Sequence, residues 1–430
     1  MANHRILLSV ICSLLVWGCE DSTSEPNNNA TDLGQVYTYR EHTLATPQRD
    51  PASCVNYSRS CSVAELPFIA ISYPEPDIQQ IMSRVVVSHD WMGARFESLL
   101  AVLPEHILTL LGSVTAIVIA NNIRPSFYWT GSGAIYLDPA ALWLTNTEKL
   151  DIDKTEDYRD GFSNGLRYNF FHRFVKDDQP AYYRYSLTSD VERDIDDIII
   201  PVASLLFHEL AHANDFMPIS LMPSLNMNAT TSSEINRFSD IRLNEQLTQN
   251  YPINDAVLTA QSMILYRGQQ ATEERKLDTA SELGALFEQE GANHLYAYSQ
   301  QAEDVAMLFQ ATMLSYYYDI KMDSAFVIQP EIDSNSCSDY TVSWGQRHRI
   351  ADPISKPRTQ FISQQILPNI DFNDFFEQLA SPQSFPSLTS WCNISLTESA
   401  TENIQTRSAQ KNTIEALKKD HHHGALPLIK

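Results

Sequence analysis

Apolar residues along the chain follow two spacings, which together predict a mixture of helices and buried strands. Helical spacing, with apolar positions three or four residues apart, occurs in four segments: 78–103, 198–216, 253–287 and 303–318. Short β-branched or aromatic runs, typical of buried strands, occur at two places: 114–120 and 128–137. Gly131 and Gly133 inside the second run indicate a bulge or a turn. We therefore predict an α+β fold with a small mixed sheet near the N-terminus and a helix-rich C-terminal half.

Composition divides the chain into four parts. Residues 1–18 contain an apolar run of about the length found in secretory signals, too short to span a bilayer as a helix. Residues 19–49 are polar and predict a flexible tether. Residues 50–395 have the pattern of one folded domain. Residues 396–430 form a polar tail in which 401–419 favours a surface helix.

The end of the first part, Val16-Trp17-Gly18-Cys19, resembles the lipobox of bacterial lipoproteins. In that motif a small residue precedes a cysteine that is acylated and becomes the mature N-terminus. The resemblance implies lipidation at Cys19 and export to the bacterial cell envelope, on the periplasmic face or the cell surface. An ordinary cleavable signal is the alternative. No later stretch of the sequence is long and apolar enough to predict a transmembrane helix, so the lipid would be the membrane anchor.

The charge of the chain narrows the range of partners. It carries 53 acidic and 30 basic residues, which gives a formal net charge of −23 at pH 7. Such a surface repels the phosphates of nucleic acids and anionic lipid head groups, so we expect no nucleic-acid partner.

Four cysteines remain beyond the targeting segment: Cys54, Cys61, Cys337 and Cys392. An even number of cysteines in an exported protein predicts two disulfides. Three pairings are possible. We favour the local pair Cys54–Cys61, which leaves Cys337 to pair with Cys392.

The motif that carries chemistry is His208-Glu209-Leu210-Ala211-His212, an HExxH sequence inside the second predicted helix. Residues four apart lie on one face of a helix, so both imidazoles can reach one ion. Zinc favours nitrogen donors in tetrahedral geometry and keeps one position for water when it is catalytic. Glu209 is placed to act as general base on that water and later to protonate the leaving amine. Two histidines satisfied within a core or at the surface are the alternative interpretation.

Residues 204–216 resemble the active-site helix of the zincin metallopeptidases. The metzincin branch has a glycine and a third histidine where this chain has Asp215 and Pro218. The chain is therefore more similar to the gluzincin branch, whose third ligand is a glutamate on a later helix. The segment Ala302-Glu303-Asp304-Val305-Ala306 resembles the Glu-Asp-x-Ala segment of bacterial gluzincin-like families. The resemblance implies that Glu303 is the third zinc ligand and that Asp304 orients a ligand histidine.

Other acids compete for these roles. Asp215 lies one turn after His212 and is expected to hold a ligand histidine rather than to bind the metal. The rival third ligands are Glu282, Glu288 and Glu290.

Two further segments resemble parts of a zincin cleft. Residues 133–139 are similar to the edge strand on which an extended peptide would add as an extra strand, although a plain core strand is an equal alternative. Zincins often use a His, Tyr or Arg to stabilise the oxyanion, which makes Tyr340 and His348 candidates. A surface or packing cluster near Cys337 is the alternative for these two residues.

These observations predict a zinc-dependent peptidase of the cell envelope, an endopeptidase acting on peptide or protein substrates, with Zn²⁺ as cofactor. One alternative is a catalytically inactive zincin-fold lipoprotein that acts as a binding or scaffold protein. Another is a metal-trafficking lipoprotein, suggested by the run His421–His423. A serine hydrolase lacks support because the sequence contains no Gly-x-Ser-x-Gly elbow.

Overall fold

The computed structural model describes the chain in seven pieces: residues 33–40, 49–57, 60–155, 159, 162, 165–330 and 336–394. Several predictions fall outside these residues and stay predictions: the signal 1–18, the lipidation of Cys19, the surface helix at 401–419 and the run His421–His423.

The first of two sheets carries mainly parallel strands. Its strands are β1 (Tyr37–Thr38), β2 (Val85–Val87), β3 (Ile117–Ile119), β4 (Phe127–Trp129) and β5 (Ala134–Leu137). They lie in the order β1-β2-β3-β5-β4. The three inner strands run parallel, and the two edge strands pair antiparallel with their neighbours. The inner strands are fully buried β-branched and aromatic segments, as expected for strands covered on both faces.

Two predictions change in this sheet. The run at 128–137 forms two strands, joined by a turn in which Gly133 adopts a left-handed φ of 70°. Because β4 is the edge, β5 lies inside the sheet, so the segment 133–139 matches the alternative interpretation, a core strand. In addition, Tyr37 and Thr38 of the predicted tether pair with β2.

The second sheet is antiparallel and was not predicted. Its strands are β6 (Tyr168–Lys176), β7 (Gln179–Pro180), β8 (Lys321–Ile328), β9 (Thr341–Arg347) and β10 (Gln383–Ser384). They lie in the order β10-β9-β8-β6-β7. Its central strand β8 is buried on both faces, so it lacks the apolar-polar alternation that identifies a half-exposed strand. The α+β class is confirmed, and the C-terminal half contains this sheet as well as helices.

The helices of the described residues are α1 (Ile69–Ser72), α2 (Ile78–Met82), α3 (Asp90–Leu100), α4 (His106–Leu110), α5 (Asp196–Phe216), α6 (Thr231–Arg237), α7 (Leu243–Asn250), α8 (Ala256–Arg267), α9 (Ala280–Glu288), α10 (Gln301–Tyr318), α11 (Lys356–Ile366) and α12 (Asn373–Gln378). The predicted helices at 198–216 and 303–318 agree with α5 and α10. Helix α5 packs along α10 on one side and touches β4 and β5 on the other, so it is central to the core.

Two of the predicted helices are interrupted. The segment 78–103 contains the strand β2, because three consecutive valines pair with β3. The segment 253–287 divides into α8 and α9. Helix α8 ends at Gly268, which adopts a left-handed φ of 66°. Helix α9 begins with a capping box formed by Thr279 and Glu282.

Both disulfides form as predicted. Cys54 pairs with Cys61, and Cys337 pairs with Cys392. Such cross-links suggest a location outside the cytoplasm. Within the described ranges, none of the helices has the length and apolar character needed to cross a bilayer.

Candidate metal centre

Helix α5 carries the HExxH motif in the most buried part of the molecule. The side chains of His208, Glu209 and His212 have no solvent exposure. The two imidazoles lie one turn apart, with ring centroids 5.0 Å from each other and ring planes at 85°. The motif is surrounded by apolar neighbours on α5, which is why this stretch of the helix is buried all round.

Glu303, in the first turn of α10, faces both imidazoles. Its Oε2 atom lies 3.3 Å from Nε2 of His208 and 3.4 Å from Nε2 of His212. These distances exceed the roughly 2.7–3.2 Å of ordinary N–H···O hydrogen bonds. They match the spacing of about 3.3 Å between two ligand atoms on tetrahedral zinc with bonds of about 2.0–2.1 Å. The three residues therefore form a buried group that could hold a metal ion.

The rival third ligands lie elsewhere. Glu282 caps the start of α9, where it accepts hydrogen bonds from Thr279. Glu290 accepts from the backbone amide of Asn254, and Glu288 is exposed at the end of α9. Of the four candidate acids, only Glu303 belongs to the group with the two histidines.

The other carboxylate oxygen of Glu303 is held by two residues that the sequence analysis did not single out. Its Oε1 atom accepts a hydrogen bond of 2.9 Å from the Tyr296 hydroxyl and one of 3.3 Å from Nη2 of Arg267. Burial opposes ionisation of Glu303. The adjacent imidazoles of His212 and His208 outweigh burial and hold the pKa of this carboxyl below its ordinary value. Glu303 is thus a carboxylate with a fixed orientation beside the two imidazoles.

Glu209 has the opposite electrostatic environment. Burial raises the pKa of its carboxyl to about 8, and this effect is partly offset by His208. The charge of Glu303 raises the pKa further, whereas the backbone of Tyr128 in β4 and the guanidinium of Arg159 lower it. A carboxyl group whose pKa lies near neutral pH can exchange a proton in the physiological range.

The two acids expected to orient ligand histidines have other partners. Asp215 accepts hydrogen bonds of 2.8 Å and 2.6 Å from the backbone amide and side chain of Asn244 in α7. Burial raises the pKa of Asp215 to about 6. Asp304 forms a buried, two-bond ion pair with Arg358 of α11. Both acids therefore connect helices around the centre.

Tyr340 and His348 lie in the packing of the second sheet. Tyr340 packs against Phe171 of β6, in the same apolar cluster as Cys337 and Trp391. His348 follows β9, and its backbone amide donates to the carbonyl of Met322 in β8. The placement of Tyr340 matches the alternative interpretation, a packing cluster near Cys337. The oxyanion-stabilising roles of Tyr340 and His348 stay predictions.

The sequence analysis did not single out three residues near the centre. Tyr296 lies in the buried 3-10 helix Leu295–Ser299, Arg267 ends α8, and Arg159 lies outside every helix and strand of the structure. The number of residues that separates each of them from the HExxH motif follows no helix or strand period, because separate parts of the fold bring them to the centre. A buried aromatic run seven residues before Glu303 was the one feature that could have drawn attention to Tyr296.

A comparison of the chain with family models, with curated proteins and with solved structures finds no match.

Proposed function

We propose that the protein is a zinc-dependent endopeptidase of the bacterial cell envelope, with a gluzincin-like zincin domain. The observation that carries the proposal is the meeting of Glu303 Oε2 with the Nε2 atoms of His208 and His212 beside the buried carboxyl of Glu209. Two nitrogen donors and one carboxylate oxygen are a ligand set that zinc favours in catalytic sites. The edge strand β4, whose Tyr128 backbone lies close to Glu209, supports the resemblance to a zincin cleft.

His208, His212 and Glu303 would hold the ion, which would supply Lewis-acid activation of water and of the peptide carbonyl. Glu209 accepts the proton of the attacking water. The same carboxyl then delivers that proton to the nitrogen of the leaving amine. An extended substrate would add to the edge strand β4 through backbone hydrogen bonds once a rearrangement exposes it.

One observation favours a second candidate, an envelope protein that holds the metal without hydrolysing peptides. The side chains of His208, Glu209, His212 and Glu303 are all 0% exposed, so a peptide can reach them only after a rearrangement. A structural metal would need no such path. The general-base carboxyl Glu209 favours catalysis, because a structural site has no use for a buried acid beside its ligands.

The test combines metal analysis with hydrolysis of quenched fluorescent peptides by the purified full chain. We expect one zinc per chain in the wild type and loss of zinc in Glu303→Ala. We expect Glu209→Gln to keep zinc and to lose hydrolysis by about 10²–10⁴-fold, the usual contribution of a general base. Glu234→Gln is a matched control, because Glu234 is another buried glutamate, paired with Arg237.

Each result has a distinct meaning. Equal hydrolysis by Glu209→Gln and the wild type would reject Glu209 as the base. A wild type that holds zinc and cleaves no peptide of a diverse library would favour the second candidate. Retained zinc in Glu303→Ala would move the third ligand to another residue.

A further inference from the structure

We propose that Tyr296 and Arg267 are positioning residues that restrict Glu303 to binding the metal through a single oxygen. The inference rests on the metal centre of the proposed function and does not require that the protein hydrolyses peptides. It concerns how the third ligand is held, and it names the two side chains that hold it.

The two oxygens of Glu303 have separate tasks. Oε2 faces the imidazoles, 3.3 Å and 3.4 Å from their Nε2 atoms. Oε1 accepts from the hydroxyl of Tyr296 at 2.9 Å and from Nη2 of Arg267 at 3.3 Å. A carboxylate oxygen has two lone pairs, and two donors occupy both of them on Oε1. Oε1 therefore has no electron pair left for a metal.

Both donors are fixed by their own surroundings. The Arg267 side chain is only 3% exposed, and its Nη2 atom also contacts Gln300 Oε1 at 3.0 Å and Ser299 Oγ at 3.3 Å. The Arg267 guanidinium lies 5.6 Å from the centre of the Tyr296 ring. The backbone amide of Tyr296 donates to Nδ1 of His294 at 2.9 Å, which holds the start of its 3-10 helix. Protein contacts thus hold both donors beside Oε1.

Single-oxygen binding has a chemical consequence. Three protein ligand atoms on a tetrahedral ion leave the fourth position for water. A carboxylate free to rotate could bind through both oxygens and take that position. Tyr296 and Arg267 prevent this by making Oε1 the acceptor of protein hydrogen bonds, so they act on the coordination number through Glu303.

The chain offers a matched control for this idea. One residue further along α10, Asp304 forms a buried ion pair with Arg358, whose side chain is 2% exposed. That pair has two hydrogen bonds, whereas Arg267 reaches Glu303 through Nη2 alone. The substitution Arg→Lys keeps the charge but loses the planar fork that orients a carboxylate. Arg267→Lys and Arg358→Lys therefore make the same change in two buried pairs, one on a proposed metal ligand and one beside it.

The experiment measures zinc affinity by chelator competition and the visible absorption of the Co²⁺-loaded full chain, with thermal unfolding of the metal-free proteins as a measure of folding. We expect Tyr296→Phe and Arg267→Lys each to weaken zinc binding about tenfold, and the double variant up to about a hundredfold. The Co²⁺ absorption should weaken in these variants, as it does when coordination rises from four to five. Arg358→Lys should lower the unfolding temperature and leave zinc affinity and the Co²⁺ spectrum unchanged.

Three other results would overturn the proposal. Wild-type zinc affinity and an unchanged Co²⁺ spectrum in Tyr296→Phe would reject it, even if Arg267→Lys did not fold. Equal effects of Arg267→Lys and Arg358→Lys on zinc would show general destabilisation instead of positioning. A wild type that binds neither Zn²⁺ nor Co²⁺ would reject the proposed function together with this inference, whereas metal binding without hydrolysis leaves the inference standing.

Discussion

The metal centre and the second sheet both bury charged groups, but they satisfy them differently. In the second sheet, Asp323 is fully buried and accepts two hydrogen bonds from Arg347, at 2.6 Å and 3.0 Å, and one of 2.9 Å from Arg173. At the metal centre, Glu303 Oε2 and His212 Nε2 face each other at 3.4 Å without hydrogen-bond geometry. Buried polar groups are almost always paired, so the second arrangement is the unusual one.

Whether buried charged groups form hydrogen bonds with one another distinguishes a structural cluster from a candidate metal site better than the types of residue do. Tyr340 and His348 are the residue types that stabilise oxyanions, yet they flank β9 of the second sheet, where Asp323, Arg173 and Arg347 satisfy one another. His208, His212 and Glu303 present converging ligand atoms that could hold a metal ion. Buried charge alone does not distinguish the two regions, whereas this convergence does.

Among the tests of this comparison, we expect Asp323→Asn to have the largest effect on the free energy of unfolding. The change removes the fully buried carboxylate that pairs with Arg347 and with the partly buried Arg173, so we expect the free energy of unfolding to fall by about 3–5 kcal/mol. Zinc affinity of the folded protein should stay unchanged, because the network is structural. Urea unfolding and chelator competition measure the two quantities. Asp178→Asn is the control, since Asp178 pairs with Arg347 at a 44% exposed position, and it should lower stability by less than about 1 kcal/mol. A loss of zinc in Asp323→Asn would contradict the separation of the two regions.

A second prediction concerns His348 and acid. Burial lowers the pKa of this imidazole to about 4, with a further lowering by Lys321 and Arg347, opposed by Asp319. Between pH 6.5 and about 4 the unfolded chain takes up a proton that the folded chain does not. Stability should therefore fall as the pH drops through this window, by about 3 kcal/mol in total. Urea unfolding at a series of pH values should show that His348→Gln loses less stability in acid than the wild type does. The same acid loss in both proteins would show that His348 is not the group responsible.

We expect Glu209→Gln, in the metal-free protein, to have the smallest effect on the free energy of unfolding. Burial disfavours the charge of Glu209, as its pKa of about 8 indicates, so the neutral amide should stabilise the fold by about 1–3 kcal/mol at pH 7. Urea unfolding in the presence of a chelator measures the change. Glu234→Gln should have the opposite sign, because Glu234 is ion-paired with Arg237 and its pKa is lowered. A destabilised Glu209→Gln would mean that the native contacts of Glu209 outweigh its desolvation.

Local patterns of apolar residues were sufficient to predict features that lie within a single helix. The apolar spacing gave α5 and α10 nearly to their ends, and the four-residue interval placed His208 and His212 on one face of α5. The local patterns failed where the structure of a segment depends on which distant segment it packs against. Three valines inside a helical pattern became β2 because β3 lies beside them, and a long helical pattern ended at Gly268. Asp215 pairs with Asn244 and Asp304 pairs with Arg358, and no spacing in the sequence could reveal these partners.

The sequence by itself determined that two imidazoles and a carboxyl share one helical turn, because helix geometry depends only on the interval between residues. It also determined the resemblance that pointed to Glu303. Only the tertiary structure decided that Oε2 of Glu303 meets those imidazoles, that Oε1 is held by Tyr296 and Arg267, and that β4 is the sheet edge. These contacts join segments far apart in the chain, and their formation depends on how whole elements pack rather than on any local pattern.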